Sequence, residues 1–524
     1  MATVLDTVTG VPLADQEQSS DAPPRRRADL WTALAATLAV LAVQAWNITG
    51  YPVVSDDEGT YLAQAWAVQH GRGLAPYTYW YDHPPFGWIQ IAMMSWLPAL
   101  FSSTEHLFTA QMRVVMLPVS AGSCLLLYVL SRRLGLARWA AALGVLLFGL
   151  SPLSVGLQRE LFLDNFAVVW MLAAMVLAAS PRRHLWHHIA AGLAAGAAVL
   201  SKETMLVALP ALALLLWQRT DRSTRKFSLA GFGTALALTL AQYPLYAVLK
   251  GELFPGAGHD SLIGGVLFQL DRPGSGSLFS AGSGSNQTLN SWLYYDHVLI
   301  VGGLAAALAM ACSRRMRAPA LAVLLFTAVA ARPGSGYLPA MYIIQVLPFL
   351  ALCLAAITQV VVRTALHTAP RVGLRPLRWA AVALVLALAA GYVLPRWYEG
   401  DRTAVTADAN LQYDRAAQWI RAEIPDPAHT RIVVDDALWL DLVHDGFKPG
   451  TGVIWFYKVD LDPAVAATLP HGWRSIDYIV STPTLRQDPD SLPTVRAALA
   501  HSTLLAAFGS GTDRIEIRKI VKTS

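Results

Sequence analysis

Eleven apolar runs without a single charge recur along the first three quarters of this chain, and no other feature restricts its fold so strongly. They cover 30–45, 114–130, 139–158, 165–180, 189–201, 205–218, 227–249, 298–311, 318–331, 339–362 and 379–395. A bilayer core takes about 20 residues of helix. Inside it, only helices or closed barrels satisfy every backbone polar group. Unbroken runs of this kind select helices, so the chain reads as an α-helical polytopic membrane protein of about eleven spans. The runs 189–201 and 318–331 are short for a full crossing. Those helices either begin among flanking charges or stop inside the membrane against protein.

The amino-acid usage agrees. Hydrophobic residues make up 55% and charged residues only 14%, against about 25% charged in soluble domains. Disorder is excluded for the bulk of a chain this apolar. The three cysteines, Cys124, Cys312 and Cys353, all fall in apolar runs and read as packing residues, which leaves no disulfide frame or thiolate metal site.

The formal charge of +5 resolves into a sidedness signal. With the N-terminus in the cytoplasm, 19 Arg and Lys fall on inner segments and 6 on the opposite short loops. The positive-inside rule fixes that topology, and no nucleic-acid partner is expected. Residues 1–28 read as a disordered cytoplasmic tail and 29–397 as the membrane domain. Its first outer loop spans 49–112 and a Gly/Ser-rich, lid-like outer loop spans 251–297. Beyond 397 the pattern changes to alternating short helices and strands, with strands expected near 431–434, 453–457, 476–480 and 514–520. Residues 398–524 therefore read as a small extracytoplasmic α/β domain.

Ionisable groups near membrane depth are costly and mark function, and here they collect on the outer side. The first outer loop carries Asp56, Asp57, Glu58 and Tyr61, then Asp82-His83-Pro84-Pro85. Arg159, Glu160 and Asp164 lie between the third and fourth spans, and Lys202 and Glu203 tip the next outer hairpin. The short fifth helix allows Lys202 to sit in a recess. Several cations beside carboxylates suit a lipid phosphate: Arg offers a planar fork and Lys a point charge. A sugar on that phosphate has a good leaving group, and one carboxylate suffices to take the proton of an acceptor hydroxyl. The plainer readings stay open at this stage. The three acids also suit a helix N-terminus, His83 suits a turn before two prolines, and Arg159, Lys202 and Arg332 suit interface anchors.

Four local patterns resemble the membrane-embedded GT-C glycosyltransferases, with kinship to protein O-mannosyltransferases and lipid A aminoarabinose transferases. They are Asp57-Glu58-Gly59-Thr60-Tyr61; Asp82-His83-Pro84-Pro85-Phe86; Ser201-Lys202-Glu203; and Arg332 with Gly336-Tyr337-Leu338-Pro339 and Pro348. Asp164 stands where relatives keep an Asp opening the fourth helix. The resemblance covers about residues 30–395. It implies an inverting transfer of a mannose- or arabinose-like sugar from a polyprenyl monophosphate to a hydroxyl on protein, lipid or wall glycan. Asp57 would be the base with Glu58 beside it, and Asp56 next in line. His83, Arg159, Lys202 and Arg332 would bind the donor phosphate. Asp56, Tyr61, Asp82, Asp164, Glu203 and Tyr337 would support them. Asp82 with His259 is a candidate site for a divalent cation, as in some bacterial relatives. The high Ala, Leu and Arg usage points to a GC-rich bacterium, so the expected location is a bacterial plasma membrane. The alternative from another class is a secondary transporter or flippase, which would want its charged groups near the midplane.

Overall fold

The computed structural model describes residues 22–100, 106–256, 259–332, 337–367, 375–487 and 489–522. Helix occupies all eleven apolar runs. Among the described residues six helices are long and apolar enough on their own to cross a bilayer, and a bent pair makes a seventh. Leu163–Ala178, Leu185–Ser201 and Arg317–Ala330 are apolar but shorter. The expected count of eleven thus exceeds what helix length alone supports, because several helices end early in tight turns. The first helix opens at Ala22, within the stretch expected to be tail; residues 1–21 of that tail lie outside the described residues.

Two of the helices are broken, and the breaks answer each other. Arg138–Gly149 and Pro152–Arg159 meet at 64°, where Pro152 has no N–H to continue the ladder. The helix Gly284–His297 is kinked at Asp296, whose φ and ψ are −157° and 82°. Ser151 Oγ donates to Asp296 Oδ2 at 2.5 Å, and Asp296 Oδ1 accepts from the Leu299 N–H at 2.9 Å. At the first break the Gln158 and Gln44 amides donate to the Phe148 and Gly149 carbonyls at 3.2 and 3.4 Å, so backbone freed by each break is satisfied by protein, as a low-dielectric setting demands. At the opposite end, Arg132 Nε and Tyr128 Oη hold Asp29 at 2.9 and 3.1 Å and fix the first helix to its neighbour.

After the 32-residue helix Arg375–Thr406, the chain forms a five-stranded sheet of order β2-β1-β3-β5-β4. Its strands are β1 (Ile432–Val434), β2 (Val453–Trp455), β3 (Tyr478–Ser481), β4 (Ser502–Phe508) and β5 (Ile515–Ile520). β1 pairs in parallel with β2 and β3, while β5 is antiparallel to β3 and β4. β1, parallel to β2 on one side and β3 on the other, is wholly buried, as its run of β-branched residues requires. β4 lies at the sheet edge with Leu504 and Leu505 exposed; its lack of apolar alternation is why it was not expected.

This domain packs directly on the membrane domain. The helix Asp56–Gln69 lies against Asp436–His444. At their crossing, a Cβ on Gly59 would stand 2.2 Å from the Asp436 carbonyl oxygen. Only glycine permits that approach. Tyr77 Oη donates to the Val453 carbonyl at 3.1 Å and accepts from Trp439 Nε1 at 3.0 Å, joining the first loop to β2.

Candidate active site

The helix Asp56–Gln69 begins with a capping box, in which the Ser55 hydroxyl accepts from the Glu58 N–H while Glu58 accepts from the Ser55 N–H. Consecutive helical residues point about 100° apart, so the three acids of the first turn face three environments. Glu58 turns inward. It is fully buried and accepts from Arg113 Nε at 2.8 Å and Nη2 at 2.6 Å, and from the Leu161 N–H at 3.1 Å. Both its oxygens are taken, so Glu58 is a structural anchor for the helix rather than a group open to substrate. Arg113, which the sequence left without a role, is its fully buried partner.

Asp57 and Asp56 both line a cavity of about 250 Å³ between the first loop and the α/β domain. Their surroundings differ. Burial pushes the Asp57 carboxyl above its usual range, opposed by Lys202, then His83, and further out by Arg272. Burial also raises Asp56, but its strongest charged neighbours are Asp435 and Asp436, which raise it further. Asp57 thus faces the cations and Asp56 faces the carboxylates of the α/β domain. Among the described residues nothing donates a hydrogen bond to Asp57.

The cations come from the Lys202 hairpin. Leu185–Ser201 stops at Lys202, whose backbone turns extended with φ −151° and ψ 117°. The helix Phe86–Met94 crosses this end closely: a Cβ on Gly87 would lie 3.1 Å from the Ser201 carbonyl, and Gln90 Nε2 donates to Ser201 Oγ at 3.0 Å. That crossing brings His83 to the hairpin. Lys202 Nζ donates to His83 Nε2 at 3.0 Å, and His83 Nδ1 donates to Glu203 Oε2 at 3.1 Å. With Lys202 donating, the ring is the neutral tautomer, since Lys has no acceptor to offer; burial opposes its charge, but Glu203 raises the His83 pKa, and once protonated the ring counts with Lys202 among the cations. Burial opposes the charge on Lys202, which is 5% exposed, yet Glu203, Asp164, Asp57 and Asp82 together raise its pKa. Burial likewise opposes Glu203, but His83 and Lys202 pull it down to about 2.

Asp164 opens its helix fully buried and accepts from Gln345 Nε2 at 2.6 Å. Tyr61 is buried, with its ring 6.3 Å from that of His83. Asp82 lines the cavity with its side chain, and Gln269 reaches its carbonyl at 3.5 Å. The structure therefore gathers Asp57, Tyr61, Asp82, His83, Asp164, Lys202 and Glu203 into one cluster.

It does not bring Arg159 or Arg332 there. Arg159 is buried and donates to the carbonyls of Val43, Trp46 and Ala404 at 2.7, 2.9 and 2.8 Å. It closes the C-terminal end of the first helix, so the expected phosphate role is replaced by a backbone clamp. Arg332 is exposed and does not line the cavity. Arg272 instead acts on the charge of Asp57, and its guanidinium stacks 4.0 Å over the Tyr337 ring. Arg272 falls inside the Gly/Ser-rich outer loop 251–297, whose composition marks no site. That loop is in fact partly helical, at Leu262–Asp271 and Gly284–His297. Gly265 lets the former lie on the first loop, where a Cβ would meet the Tyr81 carbonyl at 2.6 Å. Gly336 of the Tyr337 motif lies outside the described residues.

For a metal, the donor set falls short. Among the described residues no three His, Cys, Asp or Glu side chains converge, and His259 Nδ1 turns to the Asp260 carbonyl at 2.9 Å. No step through a metal is derived.

A family profile described as dolichyl-phosphate-mannose-protein mannosyltransferase matches residues 82–246, the segment carrying Asp82-His83 and Lys202-Glu203. The structure of ArnT from Cupriavidus metallidurans bound to undecaprenyl phosphate aligns with TM-score 0.58 at 14% identity, over 96% of this chain and 99% of that one. The chain has the GT-C fold. The archaeal oligosaccharyltransferase AglB from Archaeoglobus fulgidus, in complex with an inhibitory peptide and a dolichol-phosphate, aligns with TM-score 0.51 at 14% identity, over 95% of this chain and 75% of that one. An oligosaccharyltransferase from Archaeoglobus fulgidus in complex with Zn and sulfate gives TM-score 0.50 at 14% identity, over 93% of this chain and 73% of that one. Curated protein sequences give no match. This GT-C chain resembles protein O-mannosyltransferases through the matched segment and ArnT through nearly its full length.

Proposed function

We propose that the chain is an inverting glycosyltransferase that moves a mannose- or arabinose-like sugar from a polyprenyl monophosphate to an acceptor hydroxyl. The observation that carries this is the opposition of Asp57 and the Lys202–His83 pair across one buried cluster, each acting on the other's charge. A carboxylate without a hydrogen-bond donor, held beside a desolvated ammonium, is what a base next to a phosphate site needs. The undecaprenyl phosphate and dolichol-phosphate bound by the two structural relatives support a lipid-phosphate donor.

In this reading Lys202 neutralises the departing phosphate, with His83 aligning its ammonium and Arg272 adding positive charge. The bond from the anomeric carbon to the phosphate oxygen breaks with its electron pair going to phosphate. The acceptor oxygen bonds to that carbon from the opposite face and passes its proton to Asp57. Glu58 acts only by fixing the helix that presents Asp57. The α/β domain and the cluster face outward from a bacterial plasma membrane, where lipid-linked donors are used, and the polyprenyl tail lies among the apolar helices.

The test is transfer of labelled sugar from polyprenyl-phosphate mannose and polyprenyl-phosphate arabinose by the full chain in nanodiscs. Consumption of one donor with release of polyprenyl phosphate supports the reading. Consumption of neither, or donor binding unaffected by Lys202→Ala, overturns it.

A further inference from the structure

The cavity beside Asp57 has a second wall, built by the α/β domain, and nothing in the donor chemistry uses it. Asp436, Trp455, Tyr457 and Lys458 from that domain face Gln64 and Trp80 of the first loop. We infer that this wall is the acceptor subsite and that it takes the neutral hydroxyls of a saccharide, not a peptide serine or an anionic group. The inference rests on the reading of Asp57 and Lys202 as base and phosphate ligand.

Three observations carry it. The first is a set of orphaned polar atoms. Gln64 Oε1, Asp436 Oδ1 and Trp455 Nε1 are buried without a hydrogen-bond partner among the described residues. Their side chains are 5%, 1% and 2% exposed. Buried polar atoms are rarely left unpaired, and such atoms in cavity-lining side chains call for a ligand offering both donors and acceptors. A sugar hydroxyl offers both. The second is the aromatic surround. The rings of Trp80 and Tyr457 lie 5.9 Å apart, and those of Trp455 and Tyr457 5.8 Å apart, giving flat apolar surfaces that suit the C–H face of a sugar ring.

The third is charge. Asp56, Asp57, Asp82 and Asp436 all line the cavity; burial and neighbouring carboxylates raise Asp56, and raise Asp436 to about 8, so this wall offers carboxyls that hydrogen-bond a hydroxyl and no counter-charge for an anion. Lys458 does not reverse this. Its ammonium is 3.3 Å from the Trp80 ring centre, 3.5 Å from Asp462 and 3.3 Å from the Thr78 carbonyl, so its charge is already engaged. It props Trp80 in place. Position agrees as well. Along the first turn of Asp56–Gln69, Asp57 faces the cations and Asp56 faces the α/β domain. An inverting displacement requires the acceptor to enter opposite the leaving phosphate, which is this second wall.

The experiment uses the full chain in nanodiscs with labelled polyprenyl-phosphate mannose or arabinose. The acceptor probes are neutral disaccharide methyl glycosides of mannose and arabinose, a Ser/Thr-rich peptide and mannose 6-phosphate. Label is expected on a neutral glycoside. Trp80→Ala and Asp436→Asn should each raise the acceptor KM by at least about 10-fold and leave the donor KM within about 2-fold, the latter also showing that the variants fold. Tyr457→Phe, which keeps the ring, should fall between them and the parent. Label on the peptide or the sugar phosphate overturns the inference, as does a rise in donor KM in place of acceptor KM. Donor cleaved to free sugar with no glycoside labelled overturns the inference alone, whereas donor left intact under every condition overturns the reading beneath it.

Discussion

Lys202 Nζ lies 3.0 Å from His83 Nε2, so the imidazole sits between the ammonium and the Glu203 carboxylate rather than beside the substrate alone. The relay links two separated sequence motifs, Asp82-His83-Pro84-Pro85 and Ser201-Lys202-Glu203, into one unit. Its job is orientation: Glu203 fixes the His83 tautomer, and His83 aims the ammonium. Glu203→Gln should therefore weaken binding of polyprenyl phosphate by roughly 10-fold, a second-layer effect, while Lys202→Ala removes most of it. Titration of labelled polyprenyl phosphate into nanodiscs measures both. Equal losses in the two variants would make Glu203 a direct ligand.

Asp57 and Asp56 should separate cleanly by kinetics. Removing a general base costs roughly 100-fold or more in kcat, so Asp57→Asn should lose that much with donor binding intact. Asp56→Asn, on the side facing Asp435 and Asp436, should act on acceptor KM and keep kcat within about 10-fold. Single-turnover transfer rates at saturating donor distinguish them. A kcat collapse in the Asp56 variant alone would move the base by one position.

The pH profile follows from the same surroundings. Burial holds the Asp57 carboxyl above the usual aspartate range, with Lys202 the strongest group pulling it back. The base works deprotonated, so activity should fall as pH drops, with the acid limb above pH ~4. Replacing Lys202 by Gln takes away positive charge, destabilises the carboxylate and should move that limb to higher pH. Initial rates from pH 4 to 8 test this; a limb that stays or moves down contradicts the electrostatic coupling of the two groups.

Much of this site is visible in the chain because charge in an apolar context is conspicuous. Asp57, His83, Lys202 and Asp164 stand out at the ends of uncharged runs, and those runs forecast the helices. What the sequence does not disclose is where a side chain turns. Glu58 and Asp57 are neighbours in sequence and differ only by their rotation about the helix, which decides between a buried anchor and an open cavity. Arg159 looks like a phosphate ligand because it is a cation at membrane depth, but broken and terminating helices leave carbonyls that need a donor, and it serves those. The contribution of Asp436, Tyr457 and Lys458 was hidden because the crossing at Gly59 joins segments nearly 380 residues apart.

Glu58 and Arg113 should behave as a stability pair. Both are fully buried, and removing one partner of such a pair costs about 3–5 kcal/mol by leaving a charge unpaired. Glu58→Gln should lower the thermal midpoint in detergent well before it changes the kcat of the folded fraction. The double variant Glu58→Gln with Arg113→Met should recover part of the loss. A double variant less stable than the single one would mean that Arg113 is needed for its other bonds, to the Pro52 and Val53 carbonyls at 2.7 and 3.3 Å.

Arg272 and Arg332 offer the sharpest contrast between sequence expectation and structure. Arg272 stacks on Tyr337 and acts on the charge of Asp57, while Arg332, in the motif that drew attention, is exposed. A guanidinium over an aromatic face keeps its donors free at the edge, so stacking leaves Arg272 able to meet phosphate. Arg272→Gln should weaken polyprenyl-phosphate binding by at least about 10-fold, and Arg272→Lys should recover little, because an ammonium reproduces neither the planar stack nor the fork. Tyr337→Phe keeps the ring and should bind as the parent does, whereas Tyr337→Ala should lose affinity with Arg272 still present. Arg332→Gln should bind as the parent does. If Arg332→Gln loses affinity and Arg272→Gln does not, the phosphate is held by the residue the motif named, and the stacked arginine is only a fastening for the loop.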